Sequence, residues 1–147
     1  MKKYYSQLDP KWKNVIIPNS NATIGNVGCL ITCMSNIFQK RPDLFVKKNK
    51  ELFLSDGSML TEQVVVKMGS KLTRIDTVGG MNPPTTISIG RTSFYTYMGY
   101  PTHFYVRLSN GDIIDPASMT PYKTVNKYLP TTNQWRTFAK SKSIKLK

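Results

Sequence analysis

Residues 102–116 limit the possible folds of this chain more than any other segment. Apolar and polar side chains alternate over 102–108, an Asn-Gly pair follows at 110–111, and a second short apolar run ends at Asp115. A period of two is typical of a strand with one buried face, and Asn-Gly favours the tight turn of a hairpin. The segment therefore predicts two antiparallel strands joined by a short loop.

The length of this loop decides which side chains share a face. A three-residue loop at 109–111, with its glycine in the left-handed conformation, places Asp115 opposite Tyr105 and makes it the diagonal neighbour of His103. A two-residue loop would place Asp115 opposite Val106, on the other face. We expect the longer loop, because it also collects the apolar side chains on one core face. These side chains are Phe104, Val106, Leu108 and Ile114.

The first half of the chain is predicted to be helical after an irregular opening segment. Residues 1–26 are rich in Asn, Ser, Pro and Thr between aromatic anchors, which is typical of irregular structure wrapped on a core. From Cys29 to Gln39 apolar residues recur at helical spacing, and they predict a buried helix that starts just after Gly28. The other predicted elements are helices at 42–53 and 61–68 and short strands at 72–78 and 85–90.

Helices followed by antiparallel strands indicate an α+β fold with segregated layers. A length of 147 residues suits one domain, and 39% hydrophobic residues supply enough material for a core. We expect a single domain over residues 1–147, with a basic C-terminal tail from about residue 136.

Two cysteines, Cys29 and Cys33, are the candidate reactive groups. Together with the single histidine they are too few for a zinc site, so no metal or cofactor is expected. A disulfide between positions i and i+4 of one helix has poor geometry. At a helix start, unsatisfied N–H groups and the helix dipole favour the thiolate, which fits Cys29 as a nucleophile. Cys33, one turn further on, fits a buried and inert thiol.

A thiol nucleophile needs a base, and His103 is the only histidine in the chain. The predicted hairpin brings Asp115 close enough to orient the His103 imidazole. The oxyanion formed by attack on a carbonyl needs hydrogen-bond donors, of which the Cys29 backbone N–H is one. Gln7 is a candidate for the second donor, although its residue type alone does not distinguish it.

Four motifs occur in a fixed order along the chain: Ser-Gln-Leu-Asp-Pro-Lys-Trp at 6–12, Gly-Cys at 28–29, His-Phe at 103–104 and Asp-Pro at 115–116. This series resembles the papain-like cysteine peptidases related to the bacteriocin-leader-processing peptidases. The resemblance implies a papain-like fold, in which an N-terminal central helix packs on an antiparallel sheet.

The same resemblance implies a role for each candidate residue. Cys29 would be the nucleophile, His103 the general base and then acid, Asp115 the orienting acid and Gln7 the oxyanion donor. The chain departs from the leader peptidases in one respect, because 22 positions separate Gln7 from Cys29 where the transporter-linked enzymes have a tighter spacing. We therefore do not expect leader processing.

Charge suggests where such an enzyme would act. The chain carries 21 Lys and Arg against 8 Asp and Glu, a net charge of +13, and no acidic residue follows Asp115. A surface of this kind attracts polyanions. The candidate polyanions are nucleic acid, anionic lipid headgroups and phosphate-bearing cell-wall polymers. Nucleic acid is not favoured, because no nucleic-acid-binding motif occurs, and an anionic cell-wall polymer stays a candidate partner. No run approaches the roughly 20 apolar residues of a membrane span, and no apolar segment follows the N-terminal lysines as in a secretory signal.

The expected function is a cysteine peptidase or amidase that hydrolyses a peptide or amide bond through Cys29, His103 and Asp115. The favoured substrate is the peptide part of peptidoglycan, as for a bacteriophage endolysin or a virion-associated enzyme. Such a protein would be made in the cytoplasm and released at lysis or carried in a virion. The alternatives are a non-catalytic basic binding or virion structural module on the same fold, a protein-processing protease, and an acyltransferase.

Overall fold

A computed structural model describes residues 3–55, 58–70, 72–76, 87–93, 102–108, 111–118 and 128–138. Four helices are present in these ranges: α1 (Ile24–Val27), α2 (Cys29–Phe38), α3 (Pro42–Lys48) and α4 (Thr61–Lys67). Five strands follow: β1 (Leu72–Asp76), β2 (Ile87–Thr92), β3 (His103–Arg107), β4 (Ile113–Ile114) and β5 (Thr132–Phe138). Short 3-10 turns span Lys50–Leu52 and Leu129–Thr131. The predicted α+β class is confirmed.

All five strands belong to one antiparallel sheet with the order β1-β5-β2-β3-β4. Strand β5 pairs on one side with β1 and on the other with β2, so the last described segment lies inside the sheet. Alternate residues of β3 contribute to two apolar clusters: Val106 belongs to the main core, whereas Tyr105 packs in a smaller cluster with Tyr128 and Trp135. The sheet is therefore covered by side chains on both faces.

The hairpin has the predicted register. Val106 lies opposite Ile114, and continuation of this register by one residue places Tyr105 opposite Asp115. The turn is closed by the Leu108 N–H, which donates to the Asp112 carbonyl at 2.9 Å, and Gly111 has a φ of 93°. Glycine adopts this left-handed conformation without the steric penalty that a Cβ would bring. The predicted pairing, and with it the shared face of His103 and Asp115, is confirmed.

Helix α2 is the central helix and packs on β3. Its apolar face enters the main core, and the helix ends one residue earlier than predicted because Gln39 adopts a left-handed φ of 54°. The predicted helix over 42–53 is wrong in its second half, since α3 ends at Lys48. There the buried Asn49 amide donates to the Phe45 carbonyl at 2.9 Å, and a 3-10 turn replaces the α-helix.

Three further elements differ from the predictions. Helix α1 lies within the segment predicted to be irregular, and α4 ends one residue before the predicted Met68. Strand β2 ends at Thr92, two residues after the predicted end at 90, and residues 85–86 lie outside the described ranges. The predicted end of β1, at 77–78, also lies outside the described ranges.

Strand β5 was not predicted. Its sequence is largely polar, yet Thr132, Trp135 and Thr137 are buried. The Thr137 hydroxyl lies 3.0 Å from the Ser88 hydroxyl on β2, so polar side chains here are buried with partners across the sheet. Hydrophobic periodicity cannot reveal such a strand. Because β5 extends to Phe138, the start of the expected basic tail moves from about residue 136 to beyond the sheet, and residues 139–147 lie outside the described ranges.

Candidate active site

Cys29 is the first residue of α2, at a junction where two helices meet without a loop. Helix α1 ends at Val27, and Gly28, whose N–H donates to the Ile24 carbonyl at 2.8 Å, connects it to α2. A Cβ on Gly28 would lie 2.5 Å from the Ile24 carbonyl oxygen, so only glycine fits this position. No side chain caps the first turn of α2, and this leaves its backbone N–H groups, including that of Cys29, as donors for a bound group.

The two thiols lie in different surroundings. The Cys29 side chain is partly exposed, whereas Cys33 is fully buried. Burial raises the pKa of the Cys33 thiol well above its ordinary value, and the nearby negative charges of Cys29 and Asp115 raise it further. Cys33 is therefore a neutral core side chain, in line with its predicted role.

His103 and Asp115 form a buried hydrogen-bonded pair. The His103 Nε2 atom lies 2.9 Å from the Asp115 Oδ1 atom, and the two residues are only 3% and 5% exposed. Oδ1 also accepts a hydrogen bond from the Ala117 N–H at 3.0 Å, and Oδ2 accepts one from the Tyr128 hydroxyl at 2.5 Å. With both oxygens engaged, the carboxylate is held in one orientation and in turn orients the imidazole.

Electrostatics favour the charged form of both partners. Burial opposes the charge on His103, but hydrogen bonds with Asp115 and Cys29, and the negative charges of both residues, raise its pKa to about 9. Burial likewise opposes the charge on Asp115, while His103, Tyr128 and the Ala117 N–H lower its pKa below the usual value. At neutral pH the pair is thus an imidazolium and a carboxylate.

The Cys29 side chain interacts with the His103 imidazole. A hydrogen bond between the His103 ring and the Cys29 side chain is one of the causes that raise the pKa of His103, because an imidazolium N–H that donates to the sulfur favours the charged ring. The Nε2 atom of the same ring is engaged by Asp115. Cys29, His103 and Asp115 are therefore consecutive members of one chain of interactions, and their catalytic roles stay a prediction.

Gln7 is buried beside this chain but does not join it. Its Nε2 atom donates to the carbonyls of Gly25 at 3.1 Å and Ile24 at 3.4 Å, just before Cys29. Its backbone N–H donates to the Pro116 carbonyl at 2.8 Å, just after Asp115. Within the described residues it makes no hydrogen bond to Cys29 or His103, and its Oε1 atom is buried without a partner. Gln7 thus connects the two halves of the site, and its role as oxyanion donor stays a prediction.

Two tyrosines near the site were not predicted from the sequence. Tyr128 donates to Asp115, and its ring packs edge-on against the His103 imidazole with centroids 5.4 Å apart. The Tyr4 hydroxyl donates to the Asp115 main-chain carbonyl at 2.6 Å and contacts the Ser118 carbonyl. The chain has eight tyrosines, and no pattern around these two sets them apart.

A cavity of about 390 Å³ opens beside Cys29. Its walls combine apolar side chains such as Phe53, Met59 and Phe104 with the guanidinium-bearing residue Arg136. It is large enough for one or two amino-acid side chains. A substrate held there would lie against the thiol.

No protein-family model, curated protein or solved structure matches this chain. Among the described residues, no three His, Cys, Asp or Glu side chains cluster in a way that would hold a metal ion. None of the helices in those ranges has the length and apolar composition needed to cross a bilayer.

Proposed function

We propose that this chain is a papain-like cysteine peptidase or amidase that cleaves a peptide or amide bond. One observation carries the proposal: a buried His103–Asp115 pair interacts with a partly exposed thiol at the start of a buried helix. A structural histidine needs neither a carboxylate orienter nor a thiol neighbour. A nucleophile, a base and an orienting group in this order are what covalent acyl transfer requires.

The reaction would start from the thiolate of Cys29 and the imidazolium of His103. The sulfur bonds to the substrate carbonyl carbon, and the carbonyl oxygen becomes an oxyanion. As the carbon–nitrogen bond breaks, His103 gives its proton to the leaving amine. Water then attacks the thioester while His103 accepts a proton from it, the carbon–sulfur bond breaks, and the carboxylic acid and the thiolate are released.

In this scheme a backbone N–H group in the first turn of α2 donates a hydrogen bond to the oxyanion. The Cys29 backbone N–H has no intrahelical acceptor, and it is attached to the residue whose sulfur attacks the carbonyl. Gln7 would donate the second hydrogen bond from Nε2. That amide has two N–H groups, and the longer of its two contacts, 3.4 Å to the Ile24 carbonyl, would be exchanged for a hydrogen bond to the oxyanion while the one to Gly25 is kept.

We further propose that the substrate lies in the peptides of peptidoglycan. The net charge of +13 supports this choice, because it concentrates a protein on an anionic cell envelope. The enzyme would reach the wall at cell lysis or with a virion.

The rate of Cys29 alkylation by iodoacetamide, followed against pH by mass spectrometry of the labelled peptide, tests the nucleophile. In the wild type we expect fast labelling well below pH 8, because the positive charge of His103 stabilises the thiolate. His103→Ala should remove this acid-range reactivity. A rate no higher than that of an ordinary thiol, and independent of His103, would refute the enzyme proposal.

Digestion of purified peptidoglycan tests the substrate. The expected result is the release of new amino groups by the wild type and none by Cys29→Ala. An active thiol with no such release would instead direct the search to protein substrates. The buried Cys33 serves as the internal control in every labelling reaction, since it should stay unmodified in the folded protein.

A further inference from the structure

The cavity beside Cys29 contains a charged side chain in an apolar setting. Arg136 lies on β5 opposite Ile89 of β2, so it is on the sheet face that carries the main core. Its guanidinium carbon lies 5.0 Å from the centroid of the Phe104 ring, and both residues line the cavity. A guanidinium stacked on an aromatic ring in this way is held in one plane.

Arg136 has no anionic partner in the part of the chain that the structure describes. Its Nη1 atom is buried without a hydrogen-bond acceptor, and no ion pair involves its side chain. The carboxylates that do form ion pairs in those ranges are engaged elsewhere: Asp43 with Arg41, Glu51 with Lys67 and Asp115 with His103. A half-buried guanidinium without an anionic partner destabilises the folded state, and a ligand with a negative charge would offset this cost.

A second guanidinium adds to the positive potential at this place. Arg91 lies opposite Gln134 on β5 and opposite Phe104 on β3, which makes it a diagonal neighbour of Arg136 on the same face. Its side chain donates to the amide oxygen of Asn133 at 3.1 Å and makes no ion pair with a described residue. Burial and the charge of Arg91 both lower the pKa of Arg136, but a guanidinium remains charged at neutral pH.

We propose that Arg136, stacked on Phe104, is a substrate-binding residue that takes a carboxylate carried next to the bond attacked by Cys29. This proposal rests on the function proposed above, and it specifies the substrate class as an acidic peptide. A carboxylate accepts two parallel hydrogen bonds from a guanidinium, which gives both orientation and selectivity over the neutral amide. The apolar side chains among the cavity walls, Phe53, Met59 and Phe104, lower the local dielectric constant around this contact and strengthen it.

Two alkylating reagents of nearly equal size test the subsite. Iodoacetate carries a carboxylate and iodoacetamide the matching neutral amide, and each adds to the Cys29 sulfur with loss of iodide. We expect Arg136→Gln to lower the ratio of the iodoacetate rate to the iodoacetamide rate by roughly three- to tenfold, as for loss of a charged hydrogen bond. Lys47→Gln, which removes one exposed positive charge from α3, should leave the ratio unchanged. Measurement at high salt screens the overall charge.

The ratio separates this proposal from the function on which it rests. If labelling of Cys29 depends on His103 but the ratio is the same in Arg136→Gln and in the wild type, the enzyme stands and the subsite is refuted. If labelling ignores His103 while the ratio still falls with Arg136→Gln, the anion site stands without the enzyme. Arg136→Lys should keep part of the preference, because it retains the charge but loses the planar fork.

A second test uses only the wild-type protein, so it does not depend on whether a variant folds. It measures how well small carboxylic acids protect Cys29 from labelling, and it also shows which kind of carboxylate is bound. N-acetylisoglutamine carries the carboxylate on its side chain, its isomer N-acetylglutamine carries it at the main chain, and N-acetylglutaminamide has none. We expect one of the two acids to slow iodoacetamide labelling at least roughly threefold more than the diamide does. The stronger isomer shows whether a side chain or a chain terminus is bound. Equal protection by all three compounds would refute the subsite.

Discussion

Each of the first two turns of α2 contains a cysteine, and the two thiols lie in different surroundings. Cys29 lies at the helix start, partly exposed beside a cavity and within reach of His103, whereas Cys33 is fully buried one turn later. Burial makes the second thiol a weak acid, while the first has a positively charged neighbour and free backbone donors. One helical turn therefore separates the proposed nucleophile from a core side chain, and residue type plays no part in the difference.

Removal of each thiol in turn should give the largest contrast. Cys29→Ala should lower hydrolysis of peptidoglycan at least about 10³-fold, because no other described thiol can reach the imidazole. Cys33→Ala should keep most of the activity and lose a little stability through the small cavity left behind. Amino-group release and thermal unfolding of both variants check this expectation. An inactive Cys33→Ala that remains folded would reverse the assignment.

The difference between the thiols depends on Asp115, because this carboxylate maintains the charge on His103. Asp115→Asn should lower activity by roughly 10²–10⁴-fold, in the range found when the acid of a catalytic triad is replaced. The pKa of His103 should fall from about 9, since the hydrogen bond and charge that raise it are removed. As the pH rises, the imidazolium would then lose its proton at a lower pH than in the wild type.

Proton NMR can follow this titration directly, because the chain has one histidine and therefore one set of imidazole signals. Asp112→Asn is the matched control within the same hairpin, where the residue belongs to the turn. An unchanged His103 titration in Asp115→Asn would contradict the structural assignment.

Gly28→Ala should disturb the first turn of α2 and leave the second in place. The new Cβ would contact the Ile24 carbonyl oxygen at 2.5 Å, so the junction must open. We expect the free energy of unfolding to fall by about 1–3 kcal/mol, as for other overpacked sites, and the Cys29 alkylation rate to fall as well. Gly111→Ala, which strains the hairpin turn far from the thiol, should lower stability without slowing alkylation. Urea unfolding and peptide mass spectrometry give the two quantities.

The smallest effect is expected for Tyr128→Phe, which removes one hydrogen bond from Asp115. Activity should fall by roughly three- to tenfold, and the pKa of Asp115 should rise because Tyr128 helps to lower it. The acid limb of the pH–activity profile should therefore move to higher pH. Tyr4→Phe removes hydrogen bonds to main-chain carbonyls and none to the Asp115 carboxylate, so it should leave this limb in place. A purely structural role for Tyr128 would lower stability without moving the limb.

The residues that were predicted correctly share a local origin. The register of the hairpin follows from strict alternation and from one glycine that tolerates a positive φ, so the shared face of His103 and Asp115 could be deduced. The boundary of α2 follows from Gly28 and from helical spacing. Both patterns involve residues within a few positions of one another along the chain.

The features that were missed depend on contacts between distant segments. Strand β5 has no apolar period of two, and its polar side chains are buried because β2 supplies partners for them. Tyr128 reaches Asp115 only through the fold of the whole sheet, and Gln7 is positioned by carbonyls on α1 and after β4. A propensity pattern contains no information about such partners.

By itself, the sequence determined the α+β class, the central helix, the hairpin register and the shared face of His103 and Asp115. Only the tertiary structure decided that β5 lies between β1 and β2, that Tyr128 holds the Asp115 carboxylate, and that Arg136 lines the thiol cavity without an anionic partner among the described residues. The physical reason is one of range. Turn geometry and periodicity act between near neighbours along the chain, whereas burial, charge pairing and pKa depend on which distant segments the folded core brings together.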